Sequence, residues 1–565
     1  MRDILNIGVL LLALLAGGFA NPVDKPKAQT ADANRAEIRV DLSAKSGPFN
    51  PAWSWFGYDE PNYTYAPHGK KLLKELAALH PAPVYIRTHN LLTTGDGSSS
   101  LKWGSTNAYT EDANGNPIYN WKIMDRIFDT YRDAHLKPLA QIGFMPEALS
   151  VQPQPYRHSF PNGSVFTGWT YPPKSYEKWG ALVYEWVRHM VKRYGKAEVE
   201  TWPWEVWNEP DIAYWHGSRE AYFKLYDFAA DAVKRALPTA RVGGPDCTGG
   251  AYDFLRAFLE HCRSGKNYAT GKIGSPLEFI SFHPKGSPRF LNGHVQMGLD
   301  RHLQVIDRQF EVIASFPEFR SLPVVLGESD PEGCAACSAA THPENGYRET
   351  PLFATYTAEA LHGIYALAEK RQINLQGIVT WSFTFENTPY FAGYRELATN
   401  GIDKPVLNVF RMFGKMAGQR IGLSSDRRVK VEDIQRVGVR DQADINGIAT
   451  TQGKTVSALV WHYHDDDLPA PDAPISFTLA ALPANVHTVT LRRFVIDSAH
   501  SNAYEVWKKM GSPQPPSPAQ FKTLETAGRL GQTDKEANLS VTNGVLHLNF
   551  NLPRNAVSLL QFSWN

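Results

Sequence analysis

"VETWPWEVWNEPDIAYWHG", residues 199–217, sets Glu209 among four tryptophans with a proline directly behind it. The stretch opens as an aromatic, apolar run with strand character. It breaks at Asn208-Glu209-Pro210, because proline has no amide N–H to give to a ladder. The reading is a short strand that presents Glu209 at its C-terminal end.

The same theme recurs on both sides. Short apolar runs ending in a polar residue occur at 53–59, 83–89, 137–147, 202–209, 240–246, 278–284, 322–329 and 376–383. Helical patterns fall between them. In 175–194 the residues Trp179, Leu182, Val183, Trp186, Val187, Met190 and Val191 recur at the spacing of one buried stripe, with Ser175 able to cap the start and Gly195 the end. Similar patterns cover 121–136, 219–236, 252–262, 301–316 and 352–371. Eight strand–helix alternations predict an α/β fold, a (β/α)8 TIM barrel over 50–424, with its site at the C-terminal ends of the strands. The polar ends there are Arg87, His89, Asn208, Glu209, Asp246, His283, Glu328 and Trp381.

Beyond 425 the texture becomes short alternating segments such as "TVSALVWHY" and "AVSLLQFSW", which predict a C-terminal antiparallel β-sandwich domain over 425–565 with a Pro-rich insert at 508–521. In the segment 21–49, "AEIRVDL" is expected to join that sandwich as a strand. Residues 1–20, with Arg2 before an apolar run and small residues at the end, read as a signal peptide, so export is expected. The run is too short to favour a permanent span, and no membrane span is expected in the mature chain.

A formal net charge of +1 gives no electrostatic case for nucleic acid. Aromatic residues make up 12% of the chain, a surplus that suits sugar-ring faces as well as a large core. In an exported chain Cys247, Cys262, Cys334 and Cys337 point to disulfides, with three possible pairings. A bridge between Cys334 and Cys337, or one from that pair to Cys247, would stiffen the mouth of the site, and no free thiol is expected. No metal or cofactor is expected, and a monomer is favoured.

Glu209 on the fourth strand and Glu328 on the seventh would face each other across the barrel mouth. Two carboxylates flanking a bond are the machinery of glycoside hydrolysis, and a retaining mechanism sets them about 5–5.5 Å apart. Burial among Trp204, Trp207 and Trp215 would suit Glu209 to general acid work. Gly327 is read as leaving room for a sugar beside Glu328, and His283 or Arg87 as keeping that carboxylate ionised.

These motifs resemble glycoside hydrolase family 39, which holds β-xylosidases and α-L-iduronidases. The resemblance rests on "VWNEP" and "LGES", supported by "YIRTHN", "IGFMPEALS", "RVGGPD", "FISFHPKG" and "NGIDKPVLNVF". It extends into the second domain at "HSNAYEVWKKMGSPQPPSPAQF". It implies Glu209 as acid/base and Glu328 as nucleophile. Asn208 matches the asparagine at the hydroxyl beside the reacting carbon, and His89, His283, Trp381 and Glu386 match contacts to the innermost sugar. Lys285 falls where the iduronidase branch has a lysine on the sugar carboxylate, and Arg395 near an arginine that branch uses, a cationic pair that would suit a uronic acid, whereas the C-terminal segment resembles bacterial xylosidases. The expected activity is release of β-D-xylosyl residues from the non-reducing ends of xylo-oligosaccharides. An iduronidase-like or arabinosidase activity is the alternative, and a non-catalytic carbohydrate-binding protein is the alternative of another class.

Overall fold

The structure, a computed structural model, describes residues 35–565 apart from 80, 161–162 and 534–535. The expected signal peptide lies outside the described residues. Eight parallel strands close into a barrel: β1 (Trp55–Tyr58), β2 (Tyr85–Thr88), β3 (Lys137–Ile142), β4 (Pro203–Val206), β5 (Arg241–Thr248), β6 (Phe279–His283), β7 (Val324–Leu326) and β8 (Leu375–Thr380). Each lies within one of the runs read from the sequence or overlaps it to within a residue or two. A helix follows every strand: α1 (Pro67–Ala77), α2 (Lys122–Asp133), α3 (Tyr176–Tyr194), α4 (Arg219–Ala236), α5 (Tyr252–Ser264), α6 (Leu299–Ala314), α7 (Pro351–Arg371) and α8 (Pro405–Gly414). The connection rule for parallel strands requires these crossovers, and they cover the barrel's outer wall.

The α3 helix shows how the pattern works. Ser175 Oγ accepts from the Lys178 amide, Gly195 ends the helix at φ 88°, and Trp179, Leu182, Val183, Trp186, Val187 and Met190 are buried against the barrel. The α7 helix departs from the amphipathic expectation, since residues on nearly all its faces are buried. The second domain covers its outer side, where the Trp461 indole donates to the Glu359 carboxylate at 2.7 Å.

That second domain is a nine-stranded, mostly antiparallel sheet. Ala36–Pro48 pairs antiparallel with Gln419–Ser425 and parallel with Ala473–Ala480. The boundary expected at 424/425 therefore cuts through a strand: Gln419–Ser425 is hydrogen-bonded into the sandwich sheet, not the barrel. The sheet curls over itself. Four strands separate Ala473–Ala480 from Val557–Ser563 in the sheet order, about 24 Å if flat, yet Phe477 and Phe562 stack with ring centroids 5.5 Å apart. Ile38, Val40, Val460, Leu479 and Leu560 fill the space between its inner faces. The Pro-rich insert joins two helices, Ala503–Lys509 and Pro518–Gly528, and docks on the barrel loop after β8, where Gln514 and the Tyr390 backbone exchange hydrogen bonds of 2.6 and 3.0 Å.

Cys334 and Cys337 form the local disulfide. Cys247 and Cys262 are free and buried, which corrects the expectation that all four pair. Cys247 lies on β5 and Cys262 on α5, both inside the apolar core, where a thiol packs as a small hydrophobe. Among the described residues no helix is long and apolar enough to cross a membrane.

Candidate active site

The C-terminal ends of the strands surround a cavity of about 380 Å³. Asp59, His89, Lys102, Asn208, Glu209, Tyr214, His283, Lys285 and Glu328 are among its walls. The chain leaves β4 sharply: Trp207 and Glu209 both take left-handed backbone, φ 75° and 45°, a strained choice for side chains of this size. Two hydrogen bonds hold the turn, from the Trp207 indole to the Tyr214 carbonyl at 2.8 Å and from the Glu209 amide to the Asp246 carbonyl at 3.0 Å.

The tryptophans do not surround the Glu209 carboxylate as expected. Trp204 packs on Trp186 of α3, and Trp207 packs between Phe144, Trp179 and Trp215. None of them lines the cavity. Glu209 Oε1 instead faces His283 Nδ1 at 2.9 Å.

Glu328 is 5% exposed and stands among cations. Lys285 Nζ donates to its Oε2 at 2.8 Å, and the Arg87 guanidinium approaches its Oε1 at 3.4 Å. Burial alone would push its carboxyl up, but Lys285, His283 and the other cations hold it well below the usual carboxylate range. Glu209, Glu328 and His283 each place an atom within 4.8 Å of the other two. One oxygen of each carboxylate thus lies within 4.8 Å of the other, the closeness that a retaining pair needs.

His283 is the hub. Its Nδ1 faces Glu209 at 2.9 Å and Glu328 at 3.6 Å, and its Nε2 faces Asp246 at 2.6 Å. Burial disfavours its charge, yet the Asp246 and Glu328 carboxylates, with a hydrogen bond to Glu209, hold the imidazole up at about 10, so it is an imidazolium at neutral pH. Gly327 serves this packing. A Cβ there would fall on Asp246 Oδ1 and crowd His283, so the glycine makes room for protein and not, as expected, for a sugar.

His89 has the opposite state. Its Nε2 lies 2.8 Å from Arg87 Nη1, a group that can only donate, and its Nδ1 lies 2.7 Å from Asp59. The ring is therefore neutral, accepting at Nε2 and donating at Nδ1. Burial and the Arg87 charge both push its pKa down. Arg87, fully buried, also donates to Glu205 at 2.5 Å, to Asn208 Oδ1 at 3.0 Å and to Asp246. Because Oδ1 takes that bond, the Asn208 Nδ2 is left to donate into the cavity.

Three expected contacts are placed elsewhere. Trp381 is 2% exposed and sits behind the wall, its ring 4.3 Å from His89 and its indole 3.4 Å from Asp59. Glu386 caps α1, with Oε1 accepting from the His68 amide at 2.9 Å, where the helix dipole favours a carboxylate. Arg395 is fully buried; it donates to the Trp381 carbonyl at 2.9 Å and to the carbonyl and carboxylate of Glu332. Lys285 does reach the cavity, held by Glu328 and by Asp330 at 2.7 Å. Asp59 and Lys102, an ion pair at 2.6 Å in the cavity wall, are not among the residues expected from the sequence. Asp59 ends the first strand run, which was the available signal. Lys102 stands in a loop whose path no local pattern shows.

A parallel barrel with two carboxylates facing each other across its mouth has the build of a retaining glycosidase. The chain belongs to glycosyl hydrolases family 39, whose model matches residues 36–540. It is 27% identical over 499 residues to a β-xylosidase of Geobacillus stearothermophilus, covering 84% of this chain and 86% of that one. It is 24% identical over 534 residues to an α-L-iduronidase of Mus musculus, covering 86% and 75%. The fold matches the crystal structure of a monomeric β-xylosidase from Caulobacter crescentus CB15 with TM-score 0.73 at 23% identity, over 93% of this chain and 99% of that one. The chain is thus a glycoside hydrolase.

Proposed function

We propose that this enzyme removes β-D-xylosyl residues one at a time from the non-reducing ends of xylo-oligosaccharides, with retention of configuration. The observation that carries the reading is the Glu209–Glu328 pair, with the Lys285 and Arg395 side chains already committed to protein carboxylates. A cation held between Glu328 and Asp330, and another buried against Glu332, leave little charge to read a uronic acid. The 27% identity to a β-xylosidase over most of both chains supports the same substrate.

In this mechanism the ionised Glu328 attacks the anomeric carbon as Glu209 protonates the departing oxygen. The C–O bond to the leaving group breaks and an ester to Glu328 forms. Glu209, now ionised, takes a proton from water, which attacks the same carbon and releases the sugar and free Glu328. In this reading Asn208, whose Oδ1 is taken by Arg87, donates from Nδ2 to the hydroxyl beside the reacting carbon. Export, proposed from residues 1–20, is checked by N-terminal sequencing of the mature protein.

A uronidase activity is the second reading, since Lys285 does line the cavity. Initial rates on paired aryl β-D-xyloside and α-L-iduronide decide between them. Preference for the xyloside is expected; preference for the iduronide would show that a substrate carboxylate displaces Glu328 or Asp330 from Lys285.

A further inference from the structure

The cavity has a closed end and an open end. Asp59, His89 and Lys102, beyond β1 and β2, form a buried wall. Gly250, Ser287 and Arg301, beyond β5 and β6 and on the first turn of α6, form an exposed rim. An enzyme that releases one terminal sugar holds that sugar in the closed end and its leaving group at the open one.

The cations at the two ends differ. Lys102 is paired with Asp59, and Lys285 with Glu328 and Asp330. The Arg301 side chain makes no ion pair or hydrogen bond to the protein among the described residues. Its neighbours on α6 do not neutralise it: Asp300 is drawn to Arg440 at 3.5 Å, Gln304 donates to the Gln435 carbonyl, and Val305 is apolar. The Ser287 hydroxyl on the same rim is likewise without a protein partner among the described residues.

We infer that Arg301 reads a negative charge on the leaving group, so that the enzyme favours xylosides whose aglycone carries a carboxylate or another anionic group. The inference rests on the exo-glycosidase reading above and adds the class of aglycone. A guanidinium fork suits a planar anion, and Ser287 can add a third donor. Because the rim is solvated, the gain is modest, about fivefold.

The test compares 4-carboxyphenyl with 4-carbamoylphenyl β-D-xyloside in wild type, Arg301→Gln and Arg301→Lys. Dividing the kcat/KM ratio of the two substrates between enzymes cancels their intrinsic reactivities. The carboxylate preference should fall about fivefold in Arg301→Gln, return largely in Arg301→Lys, and fade in wild type as salt is raised. Turnover of both substrates with a ratio unchanged by Arg301→Gln overturns the inference alone. No turnover of either overturns the xyloside reading, and the inference falls with it.

Discussion

At the scale of single residues the site works by setting neighbouring groups to opposite charge states. Glu328 is kept ionised by Lys285, Arg87 and His283, which is what a nucleophile requires. Among the described residues the Glu209 carboxyl has His283 as its one hydrogen-bond partner, and it borders the cavity. Glu209→Ala should lose its activity unevenly: glycosides of poor leaving groups lose far more than those of good ones, because only the former need the proton. Rates on a series of aryl xylosides check this, and an equal loss across the series would move the acid/base role elsewhere. The His283 imidazolium makes a second prediction. Its folded pKa of about 10 lies above the unfolded value of about 6.5, so its stabilisation is complete below about pH 6.5 and is lost as pH rises toward 10. Thermal unfolding midpoints of the wild type should fall across that window more steeply than those of His283→Asn. Parallel profiles would contradict the charge state assigned here.

At the scale of elements, legibility followed the range of the forces involved. The eight strands could be read because each is a local apolar run ended by a polar residue, and α3 because its stripe and both caps are local. The α1 and α8 helices lie outside the patterns read from the sequence: α1 begins at Pro67 with no side-chain cap of its own, its amides being met by Glu386 from after β8. For Glu386 and Arg395 the expected sugar contact differs from the structure because matching motifs fixes a residue's order in the chain but not the path of the loop that carries it. The loop after β7 shows that path. Arg348 is buried and donates to the carbonyls of Cys334 and Cys337 at 2.7 and 2.8 Å, so the disulfide closes a turn already wrapped on a guanidinium. Thiol titration of the denatured, unreduced protein should find two thiols, Cys247 and Cys262, and four after reduction. A count of zero would restore the fully paired arrangement.

At the scale of the molecule, the sandwich packs on the outside of the closed barrel. Its first strand comes from the start of the described chain, and its face covers α7. Burial pushes Glu359 up to about 7 and raises Asp444 as well, and the Trp461 indole donates to both carboxyls, at 2.7 and 3.1 Å. Trp461→Phe keeps most of the ring and removes the donor. It should lower the unfolding free energy by about 1–3 kcal/mol, the cost of a buried acceptor left unmet, with barrel and sandwich still unfolding together in denaturant. A separate early transition for the sandwich would show that the contact does not join the two.

The central claim, that Glu328 forms a covalent bond to the sugar with Glu209 assisting, is tested most directly by trapping. The enzyme is incubated with an activated 2-deoxy-2-fluoro-β-D-xyloside, whose fluorine slows release of the intermediate more than its formation. The intact protein and its peptides are then weighed by mass spectrometry. One fluoroxylosyl group on the peptide carrying Glu328, absent in Glu328→Gln, is the expected result. A label on another residue, or steady turnover of unmodified xyloside with inverted configuration in the product, would contradict the account.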